Sequence, residues 1–261
     1  RGGAGNDILY GGASSSSGFV TTQTLDHTFN NTVTFPALAE RVDISDLDPP
    51  GDDALGIAAG DLSVDFATTA EITFYETGAG YDNSLGFYNI GADGTIYGVE
   101  MAFENVKDIN PGDTATITLP GTPDTDFGFF IVANGANKNN DYTKMDGPGH
   151  YEFIYRHGKA DERAANINDS EDDISLVYVF DDGSKDQTVV GSNNHIYHTT
   201  ERGGATNLNG DNAVHVVSGI VDGSDNTTMR IGFEDLPNLG DADYNDVVFD
   251  LTVNGKTIIT P

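Results

Sequence analysis

Short stretches of β-branched and aromatic residues alternate with turn-forming residues along most of the chain, from Phe19 onward. Runs of about four to eight such residues, bounded by Gly, Asn, Asp or Pro, are typical of β-strands. Helical periodicity is nearly absent, which favours two packed sheets. We therefore predict an all-β sandwich with long loops and little helix, with strands over residues 72–75, 85–90, 114–119, 127–133, 174–180, 214–217, 229–233 and 247–253.

Turn and linker signals set the predicted organisation. Asn254-Gly255, between Val253 and Lys256, has the sequence of a two-residue hairpin turn. Residues 13–18 contain four consecutive serines and have the composition of a flexible linker. No internal repeat recurs in residues 19–261. We therefore predict one β-sandwich domain over residues 19–261, preceded by a repeat remnant and linker over residues 1–18.

The charge balance limits the classes of partner. The chain has 42 acidic and 12 basic residues, a formal net charge of −30. Nucleic acids and anionic membrane surfaces require a basic face, so we expect neither as a partner. No run of 18 apolar residues occurs, so no membrane insertion is expected. The chain has no cysteine, which excludes disulfides and thiolate zinc sites.

The placement of the acids points to calcium. Many of them lie with Gly and Asn in short loops, as at residues 52–53, 166–169, 181–183, 209–212 and 241–243. Carboxylate, amide and backbone oxygens are the ligands that Ca²⁺ prefers. The alternative is a merely solvated acidic surface. We expect several bound calcium ions that stabilise the sandwich through its long loops.

The loop after the predicted strand at residues 229–233 is the most informative. Asp241, Asp243 and Asn245 alternate like the first, third and fifth ligands of an EF-hand loop. The rest departs from that template, because Asp246 stands at the glycine position and Thr252 at the final glutamate position. Such a loop supplies only part of a calcium shell.

Glu234 and Asp235 are the nearest candidates for the other ligands. The alternative interpretation is a polar turn between two strands. So many acids beside apolar strands are costly without a cation, and this favours the metal interpretation.

The first residues match a calcium-binding repeat. Residues 2–10 fit the nonapeptide G-G-x-G-x-D-x-U-x at every defined position, with Asp7 as its carboxylate. Such rolls need about three or more stacked copies, so we interpret this copy as the remnant of a neighbouring block. The match places the parent protein among RTX exoproteins, and we expect the chain to be a piece of a longer, secreted protein.

Several segments resemble a known family. They are residues 76–88, beginning Glu-Thr-Gly-Ala-Gly-Tyr, residues 127–135 (Phe-Gly-Phe-Phe-Ile-Val-Ala-Asn-Gly), residues 234–236 and residues 241–249. The chain resembles the calcium-dependent peptide-binding domain of bacterial RTX adhesins, the biofilm and ice-binding type, over about residues 70–250. The resemblance implies a calcium-stabilised β-sandwich, displayed outside the cell as a monomeric module of a longer adhesin. In such domains a bound calcium helps to capture the free C-terminal end of a surface peptide.

The loops, the repeat and the resemblance together define the residues that we expect to bind calcium. They are Asp7, Glu76, Asn83, Asp141, Asp172, Asp182, Asp211, Glu234, Asp235, Asp241, Asp243, Asn245 and Asp246. No residue that contacts the organic ligand can be carried over from the resemblance.

Three functions are open at this stage. The first is the binding of peptide ends in cell adhesion or biofilm formation. The second is a calcium-dependent lectin, in which aromatics such as Tyr81, Tyr142 or Tyr197 would contact sugars. The third is a structural spacer, which should occur as near-identical tandem copies. Motifs such as G-x-S-x-G and H-E-x-x-H are absent from the sequence, and we do not expect an enzyme.

Overall fold

The computed structural model describes residues 21–45, 54–121, 125–139, 142–145, 147–156, 162–170, 173–182, 187–192, 195–202 and 208–260. The repeat and linker over residues 1–18, with Asp7, lie outside the described residues. So do Asp141 and Asp172.

Sixteen β-strands account for most of the regular structure in these residues. They are β1 (Thr21–Leu25), β2 (Ser63–Val64), β3 (Thr68–Glu76), β4 (Ser84–Ile90), β5 (Ile96–Phe103), β6 (Thr114–Leu119), β7 (Thr125–Val132), β8 (Gly149–Tyr155), β9 (Arg163–Ala164), β10 (Ile174–Phe180), β11 (Gln187–Ser192), β12 (Ile196–His198), β13 (Val216–Ile220), β14 (Met229–Phe233), β15 (Val247–Val253) and β16 (Lys256–Thr260). The all-β prediction is confirmed, and each predicted run overlaps a strand, although the run at residues 214–217 begins two residues before β13.

Helical structure is limited to short turns. The described residues contain one four-residue helix, α1 (Gly135–Lys138). Single 3₁₀ turns lie at Val106–Asp108, Thr143–Met145 and Pro237–Leu239. None of these is long and apolar enough to cross a membrane.

Two antiparallel sheets pack face to face as a sandwich. One has five strands in the order β13-β14-β15-β3-β6, and the other follows the path β11-β10-β8-β5-β4-β7-β12, with β2 on β7 and β9 on β8. Their facing side chains form the main core, where the rings of Phe129 and Phe249 lie 5.0 Å apart. Strand β3 shows the alternation of buried and exposed side chains that this packing requires. Ala70, Ile72 and Phe74 are buried, while Glu71 between them is exposed.

The larger sheet curls until its first and last strands approach each other. A Cβ atom on Gly191 in β11 would lie 3.0 Å from Ile196 in β12. The curled sheet encloses a second core that includes Tyr88, Phe130 and Phe153. The same sheet thus packs apolar side chains on both of its faces, which requires nearly continuous apolar runs such as that of β7.

The predicted hairpin at Asn254-Gly255 is wrong. Strand β15 is paired on both edges, with β14 and β3, so it cannot accept β16. Asn254 is instead held on β3, where its backbone N–H donates to Thr69 O at 2.9 Å. The chain then leaves the sandwich, and β16 pairs with β1.

Several loops leave the sandwich at one end. Strand β4 begins there at Ser84, β7 ends there at Val132, and their register places these two residues opposite each other. In the other sheet β14 ends at Phe233 and β15 begins at Val247, again as a pair. The loops before β4, after β7 and between β14 and β15 therefore meet.

Candidate functional site

Hydrogen bonds join the loops that meet at this end. Gly78 N donates to Asn245 O at 2.8 Å. The Asn83 side chain links two other loops, since its Oδ1 accepts from Asn134 N at 2.9 Å and its Nδ2 donates to Asp235 Oδ2 at 2.5 Å. Segments of the chain that lie more than 100 residues apart are thus held together as one cluster.

An inner group of three carboxylates lies within this cluster. Oxygens of Glu234, Asp243 and Asp246 all lie within 4.8 Å of one another. The three residues are 0%, 2% and 9% exposed, respectively. Carboxylates this close and this buried repel each other strongly unless protons or a cation neutralise them.

One oxygen of the inner group has no hydrogen-bond partner. Glu234 Oε1 accepts from Leu236 N at 3.1 Å, and Asp246 Oδ2 accepts from Asp235 N at 2.8 Å. Glu234 Oε2 is buried and, within the part of the chain that the structure describes, receives no hydrogen bond. An oxygen left without a donor among other carboxylate oxygens fits a metal ligand.

The electrostatics of the cluster disfavour ionised acids in the absence of a cation. Burial is the main cause that raises the pKa of Glu234, Asp235 and Asp246, and the charges of neighbouring carboxylates raise each pKa further. A bound divalent cation reverses this effect and favours the ionised forms.

A second, outer group shares Asp243 with the first. Glu40, Asp241 and Asp243 also place one oxygen each within 4.8 Å of one another, and Glu40 and Asp241 are exposed. Glu40 was missed in the sequence, where it lies in a stretch without a recognisable motif. It reaches the cluster because Arg41 N donates to Asp243 Oδ2 at 2.7 Å.

Asn245 lies next to both groups and is nine-tenths buried. Its side-chain amide nitrogen donates to Asp243 Oδ1 and its oxygen accepts from Glu40 N, each at 3.1 Å. Asn245 therefore links the loop of Asp243 to the segment of Glu40.

The donor set fits a hard cation. The two groups offer carboxylate oxygens, with the Asn245 amide nearby, and neither group contains histidine. Ca²⁺ and Mg²⁺ take oxygen ligands of this kind, whereas zinc and copper favour nitrogen or sulfur. Asp241, Asp243, Asp246 and Glu234 would hold the ion or ions.

The structure places other predicted ligands outside the two groups. Asn83 contacts Asp235 and so supports the cluster, whereas Glu76 is exposed at the end of β3. Asp182 is exposed in the turn after β10. Asp211 accepts hydrogen bonds from Asn238 N at 2.6 Å and interacts with His215 Nε2 at 2.9 Å.

Two lysines lie on the Asp235 side of the cluster. Lys107 Nζ donates to Gly80 O at 2.8 Å and lies 3.2 Å from Asp82 Oδ1. Burial lowers the pKa of Lys138, and the negative charge of Asp235 raises it in part. The charges of both lysines therefore act on Asp235.

The comparisons with known proteins concern part of the chain. Residues 169–254 match the model of a family described as a domain of unknown function (DUF4114). The matched stretch is about a third of the chain and includes Glu234, Asp235 and the residues from Asp241 to Asp246, but neither residues 76–88 nor residues 127–135. No curated protein and no solved structure matches the chain.

Proposed function

We propose that this chain is a calcium-dependent adhesion module, secreted and displayed at the cell surface, that binds the free C-terminal end of surface peptides or proteins. The single observation that carries the proposal is the inner carboxylate group, in which the buried Glu234 Oε2 has no donor among the described residues. The module binds its ligand without transforming it.

Calcium is the cation that this cluster suits best. The four carboxylates that would hold the ion lie in one loop, and the exposed Glu40 reaches Asp241 and Asp243 from a distant segment. Ca²⁺ accepts six to eight oxygens in flexible geometry, whereas Mg²⁺ demands a near-ideal octahedron. Extracellular calcium also suits a chain without disulfides, because binding to the folded state alone stabilises it.

The charge of the cluster constrains the ligand. A chain of net charge −30 repels a free carboxylate, so an anionic ligand needs a local positive potential. A partly coordinated calcium supplies this potential, and Lys107 and Lys138 add to it on the side of Asp235. The resemblance to peptide-binding adhesin domains supports a peptide C-terminus as that carboxylate.

The lectin alternative has less support. Of the aromatics considered for sugar contact, Tyr142 and Tyr197 are 4% and 1% exposed. Only Tyr81, at 41%, presents a ring to solvent, in the loop before β4. Glycans are therefore tested as the alternative ligands, in the same experiment as the peptides.

The test compares a peptide library that has free C-terminal carboxylates with the same library amidated, alongside a glycan array, in calcium and after chelation. We expect the free acids to bind in calcium, with at least a tenfold loss on amidation, about 1.4 kcal/mol. Glu234→Gln should abolish the calcium-dependent binding, while Glu71→Gln, an exposed charge change on β3, should leave it intact. Equal binding of both libraries, or binding of glycans alone, would overturn the peptide-end proposal.

A further inference from the structure

A cavity lies at the boundary between the two cores. Its volume is about 260 Å³. Ile57, Leu62 and Phe127 of the main core form one part of its wall. Tyr88, Ile90 and Leu208 of the second core form another part. Such a position, at the end of a curled sheet, is typical of small-ligand sites.

The cavity is far from the carboxylate cluster. Strand β4 begins beside the cluster at Ser84 and reaches the cavity at Ile90, six residues later. At about 3.3 Å per residue this is a separation of about 20 Å. Strand β7 runs the other way and contributes Asp126 and Phe127 to the cavity before it ends at the cluster. The two sites are therefore at opposite ends of the same strands.

The polar part of the cavity wall is acidic. Asp126 and Glu201 are both exposed and line it, together with uncharged groups such as Thr200. None of the described residues that line it is a lysine or an arginine. The backbone fixes both acids, because Asp126 pairs with Ser63 of β2 and Glu201 forms a bridge with Ile57.

The apolar wall and the acidic residues of the cavity together determine which class of ligand it favours. The apolar wall suits a short aliphatic chain, since burying methylene groups is favourable. The acidic rim and the net charge of −30 repel carboxylates and phosphates, and attract cations. A lysine side chain has both parts, an aliphatic stem of about four carbons and an ammonium group.

We propose that this cavity binds an alkylammonium group, with its aliphatic chain among Leu62, Ile90 and Phe127 and its ammonium between Asp126 and Glu201. The group is either the side chain of a lysine residue in a partner or a free alkylamine. This site is independent of the calcium-dependent function proposed above, because it shares no residue with the carboxylate cluster.

The test adds four probes, one at a time, to the protein in calcium-containing buffer. Binding is detected by NMR, as changes in the chemical shifts of the backbone amides. The probes are n-pentylammonium, N-acetyl-lysine methylamide, n-pentanol and n-pentanoate. We expect one or both ammonium probes to bind, with shifts at residues 57–62 and 126–127. Binding of the lysine derivative alone identifies a partner's lysine as the source, and binding of pentylammonium alone identifies a free amine. Pentanol should bind at least tenfold more weakly and pentanoate not at all.

Variants distinguish the contribution of the acidic residues at the rim from that of the apolar wall. Asp126→Asn and Glu201→Gln should each weaken the binding of the ammonium probes severalfold without affecting that of pentanol. Ala58→Leu, at a half-buried position of the wall, should block all probes and leave peptide-end binding at the calcium cluster unchanged. Glu71→Gln is the matched control and should leave the binding of every probe unchanged. Pentanol or pentanoate binding as tightly as the ammonium probes would overturn the proposal, as would no ammonium binding or unchanged binding in Ala58→Leu.

Discussion

Glu234 connects the sequence to the proposed site more directly than any other residue. It follows Phe233, the last residue of a buried strand, and its own backbone N–H donates to His215 O at 3.0 Å. A side chain anchored this closely to the core cannot extend into solvent. Its charge must therefore be neutralised where it lies, by a proton or by a cation.

Replacing Glu234 by glutamine should change stability in opposite directions with and without calcium. In metal-free protein, Glu234→Gln removes a like charge beside Asp243 and Asp246, so the melting temperature should rise. In calcium, the same change removes a ligand, and most of the calcium-dependent stabilisation should disappear. Differential scanning calorimetry of the same sample with and without calcium measures both effects.

Glu71→Gln makes the same chemical change at an exposed position on β3 and should shift neither melting temperature by much. If Glu234→Gln lowered the melting temperature equally in both buffers, Glu234 would have an ordinary structural role and no part in cation binding.

Sequence patterns identified the acids but not which of them are buried. Asp181 and Asp182 follow Phe180 at the end of β10, just as Glu234 and Asp235 follow Phe233. The first pair is exposed and the second is buried. The two local sequences are alike, and the difference arises from loops distant in sequence that cover the second pair, which the local pattern does not contain.

The raised pKa values of Glu234, Asp235 and Asp246 predict a specific dependence on pH. In metal-free protein these groups keep protons that the unfolded chain loses above about pH 4. Their contribution to stability is therefore full at low pH and is lost as the pH rises through the raised values. Calcium replaces these protons, so calcium should bind more tightly as the pH rises.

The melting temperatures of metal-stripped and calcium-loaded protein, measured from about pH 5 to about pH 8, should therefore diverge with increasing pH. Calorimetry in two buffers of different ionisation enthalpy should also detect proton release on calcium binding. A constant gap between the two melting temperatures, with no proton release, would contradict the raised pKa values.

At the scale of elements, the ribbon of β1 and β16 differs from the rest of the fold. These strands pair with each other and, in the described part of the chain, with no other strand. Thr21 lies opposite Thr260, so the two ends of the described chain lie side by side. The hairpin rule for Asn254-Gly255 favoured a local partner for β16, and nothing in the sequence indicates a partner more than 200 residues away.

Two-stranded ribbons are marginally stable in water. We therefore expect the backbone amides of β1 and β16 to exchange with solvent far faster than those of β14 and β15, which are central in the five-stranded sheet. Hydrogen exchange followed by mass spectrometry measures both sets in one experiment. Equal protection of the ribbon and the central strands would mean that the ribbon unfolds only with the whole domain.

At the scale of the whole molecule, the stretch from residue 33 to residue 45 explains how the loop that contains Asp243 is held. It matched no motif, yet Ile44 N donates to Ala242 O at 2.9 Å. Ile44 also packs with Tyr244 and Val217 in a small third core on the outer face of the five-stranded sheet. The carboxylate cluster is therefore built from segments about 200 residues apart, so removal of a bound cation should be felt globally.

Calcium removal should lower the melting temperature of the entire domain. Binding to the folded state alone contributes about 4 kcal/mol at a thousandfold excess over Kd. Calorimetry of the intact chain in calcium and after chelation measures this loss as one cooperative transition. An unchanged melting curve after chelation would contradict a structural cation.

Monovalent salt distinguishes a bound cation from general screening of the net charge of −30. At about 1 M NaCl the Debye length is about 3 Å, so repulsion between surface acids is largely removed. The inner carboxylates are 0% to 9% exposed and are screened far less. We therefore expect NaCl to raise the melting temperature both in calcium and in chelator. The difference between these two melting temperatures should persist. If NaCl closed that gap, calcium would act only as a counter-ion to the surface, and the buried group would contribute nothing to its effect.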